Sequence, residues 1–340
     1  MDDVLLVAGA PELDRHDTGY GHPERAARLE AVWRGVEESG VADALVRLEP
    51  RRATEDELAR VHPRPYLDAL RAFCLAGGGA LDPDTVAGAG SWDTALLAAG
   101  AVLAAVDGLT AGDGEAAFVA ARPPGHHALA DQAMGFCLLN NVAVAAAALV
   151  DRGERVLVVD WDVHHGNGTQ DIFWDEPAVL YVSSHQWPLY PGTGRVEETG
   201  GARAPGATLN VPLPAGATGD VLLAAFDEVV APAVERFAPT WVIVSAGFDA
   251  HRADPLAELM LTAGDFSALT GRVRQFAPGP GRTVAVLEGG YDLDALRLCA
   301  GATVAALLGE GDPPEPPSSG GPGREVVGAV RRARAEIEGA

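Results

Sequence analysis

Short apolar runs rich in β-branched residues alternate along this chain with longer Ala- and Leu-rich segments of helical period. The predicted strands are residues 4–8, 116–121, 155–160, 179–183, 208–211, 241–245 and 283–287. The predicted helices are residues 23–38, 91–109, 141–151, 219–237, 263–276 and 293–308. Several strands are continuously apolar, which is typical of a sheet covered by helices on both faces. The pattern predicts an α/β fold with a doubly wound, mainly parallel sheet that binds ligands at the carboxyl ends of its strands.

The length of 340 residues and the apolar content of 48% are compatible with one large domain, which we assign to residues 1–310. A Pro-, Gly- and Ser-rich segment at 311–323 is predicted to be flexible, and the charged tail at 324–340 to be peripheral. No run of about 18 apolar residues predicts a membrane span, and the N-terminus lacks the basic segment of a signal peptide. The scattered cysteines Cys74, Cys137 and Cys299 indicate a reducing, cytoplasmic location.

The net charge of −23 excludes nucleic-acid binding through a broad basic surface. It would attract cationic partners over a long range, although high solubility is the simpler explanation of an acidic surface. The oligomeric state is left open, with a homo-oligomer as one option.

Polar side chains follow four of the predicted strands, at the point where each strand ends. They are R-P-P-G-H-H at 122–127, D-W-D-V-H-H-G-N at 160–167, A-G-F-D at 246–249 and E-G-G-Y at 288–291. In a parallel sheet the carboxyl ends of the strands meet at one edge, so we expect the four groups to lie close together. Each group alone is a weak signal, but the set predicts a functional site.

The residue types at these strand ends fit metal-assisted amide hydrolysis. Asp162 and His164 are two residues apart, so in extended backbone they point to the same side. With Asp249 they would bind Zn²⁺ through three ligands and leave positions open, and Fe²⁺ or Co²⁺ would also suit these ligands. The tandem histidines at 126 and 127 would transfer protons, and the Tyr291 hydroxyl would stabilise an oxyanion.

The motifs together resemble the zinc-dependent histone deacetylase family, which includes bacterial acetylpolyamine amidohydrolases and acetoin-utilization proteins. The resemblance runs from about His22 to about Gly309 and adds G-F-C-L-L-N-N, Y-P-G-T-G and G-F-D-A-H-x-x-D-P-L to the groups above. The H-P-E motif near the N-terminus and Asn167 resemble the class II branch and its bacterial relatives, since class I members carry Asp at the latter position.

The resemblance implies a role for each matching residue. Asp162, His164 and Asp249 would be the metal ligands, His127 the general base and acid, and Tyr291 the oxyanion donor. Asp160 would hold the tautomer of His126, and Asn167 would contact His127. Because Asn167 is neutral, we expect a lower pKa for His127 than an Asp partner would give.

The resemblance also implies residues that bind substrate and a structural K⁺ ion. Phe136 and Tyr190 would wall the acyl-lysine tunnel, the Gly135 carbonyl would accept from the substrate amide, and Leu256 would line the mouth. A rim aspartate would hold the substrate backbone, and the loop L-D-P-D-T leaves Asp82 and Asp84 as alternatives, with Asp84 preferred. The residues implied for two monovalent-cation sites are Asp160, Asp162, His164, Ser183 and Ser184 for the first, and Phe173 and Val179 for the second.

Other histidines receive no catalytic role. His165 is interpreted as structural because it should face away from His164. His22, His62, His185 and His251 are predicted to lie on loops or in satisfied contacts.

The function predicted is removal of acetyl or other acyl groups from lysine side chains, in peptides or proteins, or from similar small acylamides. Acetylpolyamine hydrolysis is the alternative, because the chain is acidic and Glu258 lies near Leu256, although position 256 carries no charge for a distant ammonium. An arginase-like ureohydrolase would need two Mn²⁺ ions and further bridging aspartates. A non-catalytic protein that binds acyl ligands would need neither the base nor the oxyanion donor.

Overall fold

The structure is a computed structural model that describes residues 4–9 and 11–338. Residues 1–3 and 339–340, at the ends of the predicted domain and tail, and residue 10 lie outside the described part. The strands are β1 (Leu5–Ala8), β2 (Leu45–Leu48), β3 (Gly78–Ala80), β4 (Val86–Gly88), β5 (Ala116–Val119), β6 (Val156–Asp160), β7 (Val179–Gln186), β8 (Thr208–Leu213), β9 (Trp241–Ala246) and β10 (Thr283–Leu287). Among the described residues, eight strands form one sheet in the order β2-β1-β5-β10-β9-β6-β7-β8, and every neighbouring pair is parallel.

Helices cover the sheet and connect its strands. They are α1 (Ala27–Glu37), α2 (Glu55–Leu58), α3 (Arg64–Leu75), α4 (Ser91–Ala111), α5 (Asn141–Val150), α6 (Asn167–Ile172), α7 (Gly219–Ala225), α8 (Ala231–Phe237), α9 (Ala263–Arg274), α10 (Leu293–Leu307) and α11 (Arg324–Glu338). Helix α10 packs between α1 and α9, and α4 packs against α5 and the strands β1 and β5. Every residue of β5, β6, β9 and β10 is buried, as required of strands covered on both faces.

The predicted single-domain parallel α/β fold is confirmed. All seven predicted strands exist, and β7 extends to Gln186, beyond the predicted end at residue 183. The predicted helix 23–38 begins only at Ala27, after a loop that contains His22 and the buried Glu24. The predicted helix 219–237 forms as α7 and α8, joined without a break by a π-helical turn at Phe226–Val230.

The sequence prediction missed the edge strand β2, the helices α2 and α3, and the hairpin of β3 and β4. Strand β2 lies at the sheet edge, and none of its four residues is buried, so it has no continuous apolar run. The β3–β4 hairpin is short and rich in glycine, and such residues give no strand signal. These strands depend on tertiary packing rather than on a local pattern. The two helices do carry local signals that the prediction overlooked, a capping box of Thr54 and Glu57 at the start of α2 and an amphipathic pattern in α3.

Helix α4 is long and apolar enough to cross a membrane, the one helix of this kind in the described part of the chain. However, 72% of its most apolar window is buried inside the protein. It contacts α5, β1 and β5, which is the environment of a core helix.

The chain after residue 310 packs against the rest of the fold. Ser318 donates to Asp265 through its backbone N–H at 3.0 Å and through its hydroxyl at 2.6 Å. Helix α11 buries Val327 and Val330 and lies against β8. This arrangement differs from the separation at residue 310 that the sequence led us to expect.

Candidate active site

The four strand-end groups singled out in the sequence follow four strands that are neighbours in the sheet. Their order is β5-β10-β9-β6, at the centre of the eight strands. Because these strands are parallel, their carboxyl ends lie at one edge. The four polar groups therefore lie together at this edge of the sheet, as the sequence predicted.

Asp162, His164 and Asp249 form a compact group in which one potential ligand atom from each residue lies within 4.8 Å of the others. The Nδ1 atom of His164 is 3.3 Å from Oδ1 of Asp162 and 3.2 Å from Oδ2 of Asp249. Backbone N–H groups fix both carboxylates, from Gly289 to Asp162 at 2.8 Å and from Val163 to Asp249 at 2.9 Å.

The electrostatics of this group fit a divalent cation. Burial alone would lower the pKa of His164, but the contacts with Asp162 and Asp249 raise it to about 10. Burial, together with the charge of Asp162, raises the pKa of Asp249 to about 7. Two carboxylates buried side by side require positive charge. A metal ion with two oxygen ligands and one nitrogen ligand meets that requirement.

The tandem histidines differ in their partners. Nδ1 of His126 lies 3.0 Å from Oδ2 of Asp160, whereas Nδ1 of His127 lies 2.8 Å from the amide oxygen of Asn167. Burial would lower the pKa of His126, but Asp162 and Asp160 more than offset it and raise that pKa well above its usual value. Burial, reinforced by the charges of His126 and His164, holds the pKa of His127 well below its usual value. His127 is therefore the neutral imidazole of the pair.

A cavity of about 250 Å³ opens onto these groups. Its lining residues are Asp84, His127, Gly135, Phe136, His164, Leu189, Tyr190, Leu256 and Tyr291. The rings of Phe136 and Tyr291 lie edge to face at 5.8 Å, and those of His127 and Tyr190 at 5.1 Å. The cavity thus contains all five substrate-binding residues that the resemblance implies.

The wall at Gly135 and Phe136 requires unusual backbone. Both residues have positive φ, 56° and 67°, and a Cβ at Gly135 would lie 2.4 Å from Cδ2 of His127. Only glycine permits this approach. The Phe136 N–H donates to the Thr85 hydroxyl at 3.1 Å, which ties the wall to the loop that carries Asp84.

The geometry distinguishes the two candidate rim aspartates. Asp82 accepts the backbone N–H groups of Asp84, at 3.0 Å, and of Thr85, at 2.5 Å, so its carboxylate stabilises the turn. Asp84 lines the cavity. Burial and the neighbouring Asp82 raise the pKa of Asp84. Asp84 is therefore the aspartate in position to meet a ligand.

Two residues without a predicted role hold the Tyr291 loop. Arg28 donates to the carbonyls of Gly290, at 2.6 Å, and of Glu288, and its guanidinium lies 5.0 Å from the Tyr291 ring centroid. Asp254 accepts the Tyr291 N–H at 2.7 Å and the Leu256 N–H at 3.0 Å. Burial raises the pKa of the Tyr291 hydroxyl well above its usual value, so it remains a hydrogen-bond donor.

The residues implied for cation binding lie in or next to β6, α6 and β7. Asp160 on β6 pairs in register with Ser183 on β7, and the buried hydroxyl of Ser184 makes no hydrogen bond with any described residue. Ser183 contacts Nδ1 of His185 at 2.9 Å. Phe173 directly follows α6, and Val179 begins β7.

The remaining histidines are held by other contacts. His165 is buried, with Nδ1 2.8 Å from the Thr193 hydroxyl and Nε2 3.0 Å from Gln170, so it faces away from the metal-ligand group. His62 accepts the Asn140 N–H at 2.9 Å. His22 differs, because its ring lies 4.8 Å from that of Phe136 and it supports the cavity wall.

Sequence reasoning gave no role to Arg28, Glu24, Glu288 or Asp254, although the last three lie within motifs that it singled out. The available signal was the occurrence of charged residues beside the motifs, in H-P-E-R-A-A-R and D-P-L. Glu24 contacts Arg28 at 3.2 Å and Arg122 at 2.5 Å, and all three side chains are fully buried or nearly so. The Arg122 of R-P-P-G-H-H is therefore part of a buried ionic network beneath the site.

Comparisons with known proteins agree with this geometry. A histone deacetylase domain matches residues 22–307. The chain is 43% identical over 292 residues to a histone deacetylase-like amidohydrolase of Pseudomonas aeruginosa, covering 84% of this chain and 76% of that protein. It is 40% identical over 304 residues to a probable deacetylase of Archaeoglobus fulgidus, covering 88% and 84%.

A solved structure matches as well. A crystal structure of the HDA15 HD domain has a TM-score of 0.90 and 36% sequence identity, and the match covers 98% of this chain and 95% of that one. The family supports a hydrolytic deacetylase activity. The predicted resemblance is confirmed, and the chain belongs to the histone deacetylase family.

Proposed function

We propose that this protein is a zinc-dependent deacylase that hydrolyses the side-chain amide of acyl-lysine in peptides or proteins, or similar small acylamides. The observation that carries the proposal is one cavity lined by His127, His164 and Tyr291, with Asp162 and Asp249 against His164. A base, a metal-ligand group and an oxyanion donor in one cavity are the parts that amide hydrolysis needs.

Asp162, His164 and Asp249 would hold a divalent ion, which when bound would supply Lewis-acid activation of water and of the substrate carbonyl. His127 accepts the proton of the attacking water at Nε2, since its Nδ1 faces Asn167 and its low pKa keeps it neutral. The Tyr291 hydroxyl donates to the carbonyl oxygen as negative charge develops there. His127 then returns the proton to the leaving amine.

The cavity mouth favours acyl-lysine over acetylpolyamine. Leu256 lines it and is 37% exposed, so the mouth has an apolar side chain at this position. Glu258 is absent from the cavity lining, and its N–H donates to Gln186. The acidic residue in the cavity lining is Asp84, which we assign to the substrate backbone rather than to a distant ammonium.

We also propose K⁺ as a structural ion near Ser184. Support comes from the buried Ser184 hydroxyl, which lacks a hydrogen-bond partner among the described residues, and from its neighbours Ser183 and Asp160. A buried polar atom without a partner is costly, and a coordinated cation would satisfy it.

The test is metal analysis combined with kcat/KM for an acetyl-lysine peptide and for N-acetylputrescine. We expect about one zinc ion per chain and a preference for the peptide. Tyr291→Phe should lower kcat by about 10²–10³-fold, as loss of an oxyanion donor does, and His127→Ala by a similar factor. Tyr20→Phe is the matched control, because Tyr20 is fully exposed and should leave the rate unchanged.

Each contrary result points to a different function. A large preference for N-acetylputrescine would assign the protein to acetylpolyamine hydrolysis. Two Mn²⁺ ions per chain would support a ureohydrolase. Tight binding of acyl ligands without turnover would indicate a non-catalytic binding protein.

A further inference from the structure

The side-chain amide of Asn167 lies between two groups of different chemistry. Its oxygen Oδ1 is 2.8 Å from Nδ1 of His127. Its nitrogen Nδ2 donates to the thioether sulfur of Met134, at 3.4 Å. The amide therefore bridges Met134 and the histidine that the proposed mechanism uses as its base.

An amide at this position has an ambiguity that a carboxylate lacks. Both oxygens of a carboxylate accept, so Asp160 requires a hydrogen on Nδ1 of His126 whichever way it turns. An Asn can present either its oxygen or its NH₂ group to an imidazole. With Oδ1 facing His127, Nδ1 carries the hydrogen and Nε2 has a free lone pair. With Nδ2 facing His127, the hydrogen moves to Nε2, and the base is blocked.

The sulfur of Met134 resolves this ambiguity because it accepts weakly and donates nothing. It favours the orientation in which the NH₂ group of Asn167 faces it, and the opposite orientation would place the amide oxygen against a group without a donor. The backbone of Met134 is itself fixed by an antiparallel bridge to Cys137, with N–H···O distances of 3.1 and 2.9 Å. The sulfur is thus presented from a defined position next to the Gly135 wall.

We infer that Met134 is a positioning residue that orients the Asn167 amide and thereby selects the Nδ1–H tautomer of His127, leaving Nε2 free to act as the base. The inference deepens the proposed deacylase function and rests on it for the catalytic consequence. The tautomer itself is a property of the protein without substrate.

The experiment compares wild type with Met134→Leu, which has similar volume and no acceptor, in zinc-loaded protein. Nitrogen-15 NMR of labelled histidine reports which ring nitrogen carries the hydrogen, and the His127 signals are assigned by their loss in His127→Gln. We expect wild type to hold His127 in the Nδ1–H form and Met134→Leu to shift a measurable fraction to the Nε2–H form. Met260→Leu is the matched control, since this methionine is 41% exposed and outside the cavity lining.

Activity provides the second readout. Met134→Leu should lower kcat/KM by about two- to fivefold, the effect of one weak hydrogen bond on the orientation of the amide. In an Asn167→Asp background the same substitution should have no effect, because a carboxylate needs no orienting partner. A structural defect would instead lower the rate equally in both backgrounds.

The inference is overturned if Met134→Leu leaves the His127 tautomer unchanged, or if its effect on kcat/KM is the same in the Asn167→Asp background. If wild type shows no deacylase activity while the tautomer still shifts in Met134→Leu, the proposed function fails and the positioning role stands.

Discussion

Asn167 places a neutral oxygen 2.8 Å from the ring of His127, a histidine whose pKa burial and two cationic neighbours already lower. Asn167→Asp puts a negative charge at the same distance, which should raise the His127 pKa because a nearby anion favours the imidazolium form. The base acts when neutral, so the acidic limb of the pH profile of kcat/KM should move to higher pH. Tyr291→Phe lowers the rate through a different group and should leave that limb in place. An unmoved limb in Asn167→Asp would show that His127 is not the titrating base.

At this scale, sequence reasoning brought together the residues whose side chains carry the chemistry. Asp162, His164 and Asp249 lie within ligand distance of one another, as the spacing of the first two and the strand-end position of the third suggested. It did not identify Asp254 or Arg28, because they act through backbone groups of the Tyr291 loop, more than 30 residues away in the chain. Every residue of the Tyr291 loop has the same backbone groups, so a contact with the main chain of this loop leaves no pattern in its sequence.

At the scale of elements, the site depends on two loops that follow neighbouring strands and pack directly against the metal-ligand carboxylates. A Cβ on Gly247, just after β9, would lie 2.0 Å from Oδ2 of Asp162, and a Cβ on Gly289, just after β10, would lie 2.1 Å from Oδ2 of Asp249. Each loop can therefore come this close to a carboxylate only because the residue at the point of contact is glycine. This requirement appears in the sequence as A-G-F-D and E-G-G-Y, but its reason is visible only in the packed sheet.

Gly247→Ala should weaken metal binding while the fold is retained. The new methyl group must displace the Asp162 carboxylate, which is buried and held by the Gly289 N–H at 2.8 Å. We expect the metal dissociation constant to rise at least about tenfold, in the range seen for lost support of a ligand. Metal titration measures this, and far-ultraviolet circular dichroism checks the fold. Gly271→Ala is the control, because a Cβ there meets nothing within 4 Å and Ala is favoured in helix α9. Equal metal affinity in both variants would contradict this account.

The elements that the sequence predicted are those with burial on both faces. The central strands are apolar throughout because helices cover them on both sides, and this local signal is sufficient. The edge strand β2 is half-exposed and has a weak local pattern, because its neighbours in the sheet stabilise it. Helix α3 is amphipathic, with Leu67, Leu70 and Cys74 on its buried side, and the sequence prediction overlooked that pattern. The order of the strands in the sheet could not be predicted in this way, because it depends on how the connections cross over the sheet and not on the sequence of any one strand.

At the scale of the whole molecule, residues beyond the matched domain brace the loop that carries Asp249 and Asp254. Glu315 accepts from His251 at 2.8 Å, from Arg252 at 2.5 Å and from the Ala263 N–H at 3.0 Å. The Thr262 hydroxyl donates to the Pro316 carbonyl at 2.8 Å. The domain match ends at residue 307, so Glu315 and Pro316 lie outside the matched range. Proline and glycine content alone had suggested only a flexible segment.

Glu315→Ala should destabilise the fold by leaving the buried His251 ring and the Ala263 N–H without an acceptor. Such a loss costs about 1–3 kcal/mol, and for a chain of this size it should lower Tm by roughly 2–6 °C.

Burial would raise the pKa of Glu315, but the bonds from Ala263 and His251 and the charges of His251 and Arg252 lower it. A depressed carboxylate pKa stabilises the fold above the ordinary Glu value, and the stabilisation is lost as the pH falls through the depressed value. The Tm difference from wild type should therefore be full near pH 7 and narrow below about pH 4. Glu310→Ala, at an exposed position, should change Tm little at either pH. A Tm difference that stayed constant down to pH 3 would mean that the charge of Glu315 contributes nothing to the stability of the fold and that its contacts act through packing alone.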